Sequence, residues 1–232
     1  MKSEIPSLDI CDFHAHILPG VDHGSTSYDV SLGQLSLAQK SGYKRIIATS
    51  HFYPDREDVS AFVARRDRAY YSLIERNKSS VEIRRGAEVL ICDGFERIPM
   101  LESLCFPGSN VMLIELPFCE LSSNHFYSIK ALIEKEIKVV IAHADRYAEA
   151  DIDRLISIGC MVQLNASSLS GLFVAKHLMR WLDENCVAGI GSDIHSEDNK
   201  AYKRFNKALR RIKPYLPYIV EESNKIWNSI EK

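Results

Sequence analysis

The chain has 232 residues, 46% of them hydrophobic and 26% charged, with a formal net charge of −2. That composition excludes a disordered or collagen-like chain and supplies enough apolar residues for a sizeable core, so one domain spanning residues 1 to 232 is expected. The near-neutral balance gives no global attraction to nucleic acid or to an anionic membrane surface, and no apolar run approaches the roughly 18 to 20 residues of a membrane span.

In chain order, seven short β-branched runs read as strands: "SLDICDF", "YKRIIATS", "VEIRRGA", "NVMLIELP", "IKVVIAHA", "GCMVQLN" and "CVAGIGSD". Helical patterns fill the intervals. "STSYD" offers N-caps to "VSLGQLSLAQKSGY", and Gly42 marks its C-terminal stop. Across residues 58 to 77, Val59, Phe62, Val63, Tyr70, Leu73 and Ile74 recur at helical spacing, with "ARRDR" expected on the solvated face. Ser122 or Ser123 can cap "NHFYSIKALIEKEI". The basic, amphipathic tail "NKAYKRFNKALRRIKPYLPY" reads as a packed terminal helix with a solvated face, on which Lys203, Arg204 and Arg210 could attract an acidic partner segment. Strand, helix, strand repeated seven times predicts parallel βαβ units, hence an α/β barrel or a doubly wound sheet.

The residues that close these strands share a chemistry: His14 and His16, then His51, Glu88, Glu115, His143, and Asp193 with His195. Six of the eight histidines, these five and His23, fall at or just after strand ends. In a parallel barrel all carboxyl ends meet on one face, so donors distant in sequence form one ring. The alternation of an extended strand points both imidazoles of "HAH" the same way, and the same is expected of Asp193 and His195 in "SDIH". A lone strand-end histidine is usually structural; coincidence at six strand ends is not the simpler account. Imidazole and carboxylate donors without thiolate suit catalytic Zn2+, Fe2+ or Mn2+, and the number of donors exceeds the needs of one ion.

Six cysteines lie scattered, with no CxxC spacing, as expected in a reducing cytoplasm, and "MKSEIPSLDI" has no apolar signal segment. Cys105, Cys119 and Cys160 lack an arginine six residues on, so thiolate phosphatase chemistry is not expected.

In order and across almost the whole chain, "DFHAHILPGVDHG", "IIATSH", "RRGAE", "LIELPF", "VIAHADRY" and "GIGSDIH" resemble the polymerase and histidinol phosphatase (PHP) superfamily. Within it, the likeness is to bacterial PHP-type protein tyrosine phosphatases of capsule and exopolysaccharide operons. The resemblance implies a distorted (β/α)7 barrel with three divalent ions. His14, His16, Glu88 and Asp193 would hold one ion, and Glu88, Glu115 and His143 a second, with Glu88 bridging; His23, His51 and His195 would hold the third. It also implies that metal-activated hydroxide attacks phosphorus, with a phosphotyrosine protein, such as the tail of a bacterial tyrosine kinase, as substrate. Arg146 would clamp phosphate oxygens, and Arg56 could reach the pocket from the loop after the second strand. Two departures from the family pattern stand out: His23 occupies the place of an aspartate before Gly24, and Ala144 with Asp145 replaces a Pro-Glu pair.

Other readings compete. A PHP phosphatase of a small metabolite such as histidinol phosphate would use the same centre. A metal-dependent amidohydrolase also begins with HxH, although the third strand offers Glu88 and no lysine to carboxylate. A non-catalytic metal-binding module is the third.

Overall fold

The computed structural model describes residues 10 to 231, so residues 7 to 9 of the first predicted strand and most of "MKSEIPSLDI" lie outside it. In chain order the regular elements are β1 (Cys11–Ala15), α1 (Tyr28–Lys40), β2 (Arg45–Phe52), α2 (Val59–Arg76), β3 (Glu82–Leu90), β4 (Val111–Glu115), α3 (Ser123–Glu134) and β5 (Lys138–Ile141). They continue with α4 (Glu149–Ser157), β6 (Met161–Asn165), α5 (Ala166–Leu169), α6 (Lys176–Asp183), β7 (Val187–Gly191), α7 (Ala201–Arg211) and α8 (Leu216–Ser229). The seven strands form one sheet in sequence order, every neighbouring pair parallel. A parallel bridge between Ala15 and Ile194 brings the two edges together above β1 and β7, and the His16 amide donates to the Ile194 carbonyl at 3.0 Å. The result is a nearly closed, distorted (β/α)7 barrel. Among the described residues, no helix is long and apolar enough to cross a membrane.

Alternation along the strands separates the layers. Ile47, Val111, Leu113 and Val140 pack with Cys11, Phe13 and Phe106 in one buried cluster, closed by Ile226 and Trp227 of α8. Ile46, Ala48, Met112, Ile114, Val139 and Ile141, of opposite parity, pack in the larger cluster with the helices. Each buried Ile, Leu or Val contributes roughly 1.5–3 kcal/mol. Continuing the first parity toward the carboxyl ends gives His51 on β2 and Glu115 on β4. An apolar floor therefore sits beneath a polar rim.

Local signals explain the helix boundaries. The Ser27 hydroxyl accepts from the Val30 amide at the start of α1, and Gly42, at φ +89°, turns the chain out of its end. Ser122 caps α3, and His125 returns the bond to the Ser122 amide.

In its crossovers and helices the structure departs from the sequence reading in three places. Between β3 and β4 the crossover holds no α-helix, only 3-10 turns at Phe95–Arg97 and Leu101–Leu104; Pro99 and Pro107 interrupt the segment and Gly94 adopts a left-handed conformation. The "ARRDR" run is not a uniformly solvated face, since Arg66 is 2% exposed, its guanidinium over the Phe62 ring and its Nε donating to Asp67 at 2.8 Å. The basic tail is two helices, α7 and α8, because Pro214 lies in a 3-10 turn at Lys213–Tyr215.

Candidate metal centre

Glu88 occupies the middle of the rim. β3 runs on to Leu90, so this carboxylate projects from within the strand, paired in register with His51 of β2. It is fully buried. Its Oε1 lies 2.7 Å from His143 Nε2, while Oε2 lies 3.1 Å from His14 Nε2, 3.2 Å from His16 Nε2 and 3.2 Å from His51 Nδ1. Four imidazoles, two within β1 and β2 and two just past the ends of β1 and β5, thus meet on one carboxylate.

Around this hub the predicted donors come together in overlapping sets. Asp193 Oδ1 stands 3.7 Å from His14 Nε2 and 3.5 Å from His16 Nε2. Glu115 stands 3.4 Å from His51 Nδ1 and 3.9 Å from His143 Nε2. Ligand atoms within 4.8 Å of one another group as His14, His16 and Glu88; as His51, Glu88 and Glu115; and as His16, His51 and His195. The His195 ring stacks 4.0 Å from that of His16. His23 is exposed and falls outside these three groups, yet its ring stacks on His51 at 4.6 Å and on His195 at 4.8 Å, at the outer edge of the cluster.

Two of these residues sit in left-handed backbone, His143 at φ +32° and Asp193 at φ +52°. Such conformations cost side-chain-bearing residues free energy and collect at functional sites. The expected extended geometry of "SDIH" is therefore corrected: Asp193 turns back, held by its own amide donating to the His14 carbonyl at 2.9 Å.

Sequence reading missed the residues that aim these donors. Gln163 Oε1 accepts from the His143 amide at 2.6 Å, which fixes it as the oxygen, and faces His14 Nδ1 at 3.0 Å. His14 Nδ1 therefore carries the proton, leaving the Nε2 lone pair for the centre. Asp22 does the same for His16, 2.9 Å from its Nδ1, while also accepting from the amides of Gly24 at 2.9 Å and His51 at 3.0 Å. The only available signal was Asp22 beside His23 in the "VDHG" turn. We expect Asp22→Asn to lower metal affinity about 10- to 100-fold, because an amide would aim donor hydrogens at one of three donors; titration of metal-free protein with Mn2+ or Zn2+ checks this, and wild-type affinity would contradict it.

The electrostatics favour positive charge within the ring. Burial opposes charging His14 and His16, but the carboxylates of Glu88, Asp193 and Asp22 more than offset it and hold both above the ordinary histidine range. Burial alone would raise Glu88; the imidazoles of His14, His143 and His16 instead hold it well below the ordinary glutamate range. Burial, and then His16, push His195 down to about 4, which leaves it neutral and able to coordinate. Among the described residues the buried His143 Nδ1 has no hydrogen-bond partner, and His51 Nδ1 faces two carboxylates without a hydrogen bond to either. His14 Nε2 and His16 Nε2 face each other at 3.0 Å, an opposition of lone pairs that a proton or a cation must relieve. The donor set therefore fits divalent metal. Cations must displace protons from His14 and His16, so apparent metal affinity should fall as pH drops from 8 to 6. Calorimetric titration at both values checks it; a flat profile would contradict it.

Arg146, in the turn after His143, contacts Asp193 Oδ2 through its NH2 group, with a side chain 40% exposed at the rim. Arg56 is not in contact with the ring of donors: its guanidinium lies 4.3 Å over Tyr53, and Tyr53 stacks on His51 at 5.2 Å. Asp145 faces inward and accepts from the Asn165 amide at 2.8 Å, while Asn165 Nδ2 donates to Asp193 at 3.1 Å.

The family profile described as capsular polysaccharide synthesis, CpsB/CapC, matches residues 10 to 216. Among curated proteins, the chain is similar to the tyrosine-protein phosphatase CpsB of Streptococcus agalactiae serotype III (strain NEM316). The two are 24% identical over 205 residues, covering 81% of this chain and 83% of that protein. It is likewise similar to the tyrosine-protein phosphatase YwqE of Bacillus subtilis (strain 168), 25% identical over 233 residues, covering 93% and 90%. The fold matches, at a TM-score of 0.79 and 23% identity over 96% of each chain, a structure from work on YwqE of Bacillus subtilis and CpsB of Streptococcus pneumoniae, described as unique metal-dependent tyrosine phosphatases.

Proposed function

The chain belongs to the capsular polysaccharide synthesis family CpsB/CapC, and from that membership together with the rim of donors we propose that it is a metal-dependent phosphomonoesterase acting on protein phosphotyrosine. The observation that carries the reading is Glu88, one buried carboxylate met on both oxygens by imidazoles. In this reading His14, His16, Glu88 and Asp193 hold one ion. Glu88, Glu115 and His143 hold a second. His23, His51 and His195 would hold a third. Mn2+, Fe2+ and Zn2+ all suit the donors. Such ions, when bound, supply hydroxide near neutral pH and neutralise phosphate charge.

The protein's own groups do the rest. Gln163 and Asp22 fix the protonated nitrogens of His14 and His16, so their Nε2 atoms stay turned toward the centre. Arg146 exchanges its contact with Asp193 for phosphate oxygens, its planar fork donating two hydrogen bonds. Arg56 lies further out, where it meets residues flanking the phosphate. Exposed Lys203, Arg204 and Arg210 on α7 favour an acidic substrate segment such as the tail of a bacterial tyrosine kinase. A cytoplasmic location suits a chain in which Cys92, Cys105, Cys119, Cys160 and Cys186 are free thiols.

Turnover of a phosphotyrosine peptide beside histidinol phosphate tests the reading. Hydrolysis of the peptide, abolished by chelator and restored by Mn2+, is the expected result. Exclusive turnover of the small metabolite, or inertness of fully metal-loaded protein toward every phosphoester, would overturn it.

A further inference from the structure

A groove of about 440 Å3 opens beside the rim, lined by the chain from Leu116 to Leu121 and by Arg146, Tyr147, Ala148 and Asp151. It shares Arg146 with the rim of the candidate centre. Arg146 lines the groove and also contacts Asp193, and Leu116, another lining residue, directly follows Glu115. Rings lead outward from the donors: His143 to Tyr147 at 5.7 Å between centroids, then Tyr147 to Phe118 at 6.0 Å. Tyr147 is fixed, its hydroxyl donating to the Leu116 carbonyl at 3.0 Å and accepting from the Leu116 amide at 3.1 Å. Phe118 is 75% exposed, a large apolar ring at the groove mouth.

We propose that this groove is an aryl subsite, in which Phe118 and Tyr147 form the wall against which the ring of an aryl phosphomonoester lies while Arg146 holds its phosphate. The inference rests on the phosphoesterase reading and adds the residues that select an aromatic over an aliphatic ester. Its size falls within the range of small-molecule pockets, and an apolar wall with one convergent guanidinium is the pattern by which such pockets orient a ligand. A ring beside Phe118 and Tyr147 gains offset or edge-to-face contact, which an alkyl ester lacks.

Calorimetric titration of the metal-loaded protein with phenylphosphonate and with methylphosphonate tests this without requiring turnover. The wild type should bind the phenyl compound about tenfold more tightly. Phe118→Ala should weaken phenylphosphonate about three- to tenfold and methylphosphonate less than about twofold. Phe118→Trp should keep the preference, and Tyr127→Ala, an exposed aromatic on α3 away from the groove, should leave both affinities unchanged. Equal weakening of both ligands in Phe118→Ala, no aryl preference in the wild type, or no binding of either phosphonate would overturn the subsite. The two readings fail separately. Aryl preference lost in Phe118→Ala without hydrolysis of any phosphoester keeps the subsite and removes the phosphatase, whereas phosphotyrosine turnover without aryl preference does the reverse.

Discussion

Glu88→Gln is expected to lower kcat/KM for a phosphotyrosine peptide by at least about a thousandfold, a loss of about 4 kcal/mol of transition-state stabilisation. The substitution keeps shape and volume. It removes a buried negative charge that lies within 3.2 Å of nitrogens from His14, His16, His51 and His143. It also places amide hydrogens where at least one of those lone pairs is aimed. Two of the three proposed ion sites share this carboxylate, so metal content should fall with activity. The apolar floor beneath it, built on Phe13, Leu113 and Trp227, is untouched, and the far-UV circular dichroism should stay that of the wild type. A variant with full metal content and more than a tenth of wild-type activity would refute the hub role.

Arg146→Ala is the second large expected effect, about 100- to 1000-fold in kcat/KM, the scale seen when one preorganised donor to a developing oxyanion is removed. Its guanidinium already sits on Asp193 at the rim, so little reorganisation separates that contact from one to phosphate. Arg146→Lys should recover less than about a tenth of the loss, because a single ammonium cannot reproduce the planar fork. Metal content should stay within that of the wild type, which distinguishes a substrate clamp from a residue that maintains the ion sites. A loss of ions matching the loss of rate would assign Arg146 to holding Asp193 instead.

The barrel and the ring of donors were legible because both rest on local pattern. Seven β-branched runs of the right length, Gly42 after a helical stripe and Ser122 before another each encode an element through backbone sterics or a cap. Donors at strand ends encode a rim through the geometry of a parallel barrel alone. What was not legible depends on partners far along the chain. Gln163 serves His14 from 149 residues away, and nothing about a glutamine in "MVQLN" distinguishes it from a surface residue of a strand. Asp22 acquires its role from three donors, one of them the His51 amide 29 residues on. The left-handed turns at His143 and Asp193 go with bonds to residues far along the chain, the His143 amide to Gln163 and the Asp193 amide to the His14 carbonyl. Arg66 misled for a different reason: a charged run on a helix normally faces water, yet Arg66 is buried with Phe62 and Asp67 of its own helix as partners.

The Tyr147 hydroxyl, engaged twice by Leu116, ties the turn after β5 to the end of β4 and so to Glu115. This links the apolar groove to the backbone that carries Glu115. Substrate selection and ion placement thus share backbone.

Elemental analysis of freshly purified protein, normalised to chain concentration by amino-acid analysis, tests most directly whether nine side chains from across the barrel cage several cations. Three divalent ions per chain is the predicted result. Fewer than two, in protein that has been exposed to excess Mn2+, Fe2+ or Zn2+ and then freed of unbound ion, would contradict it.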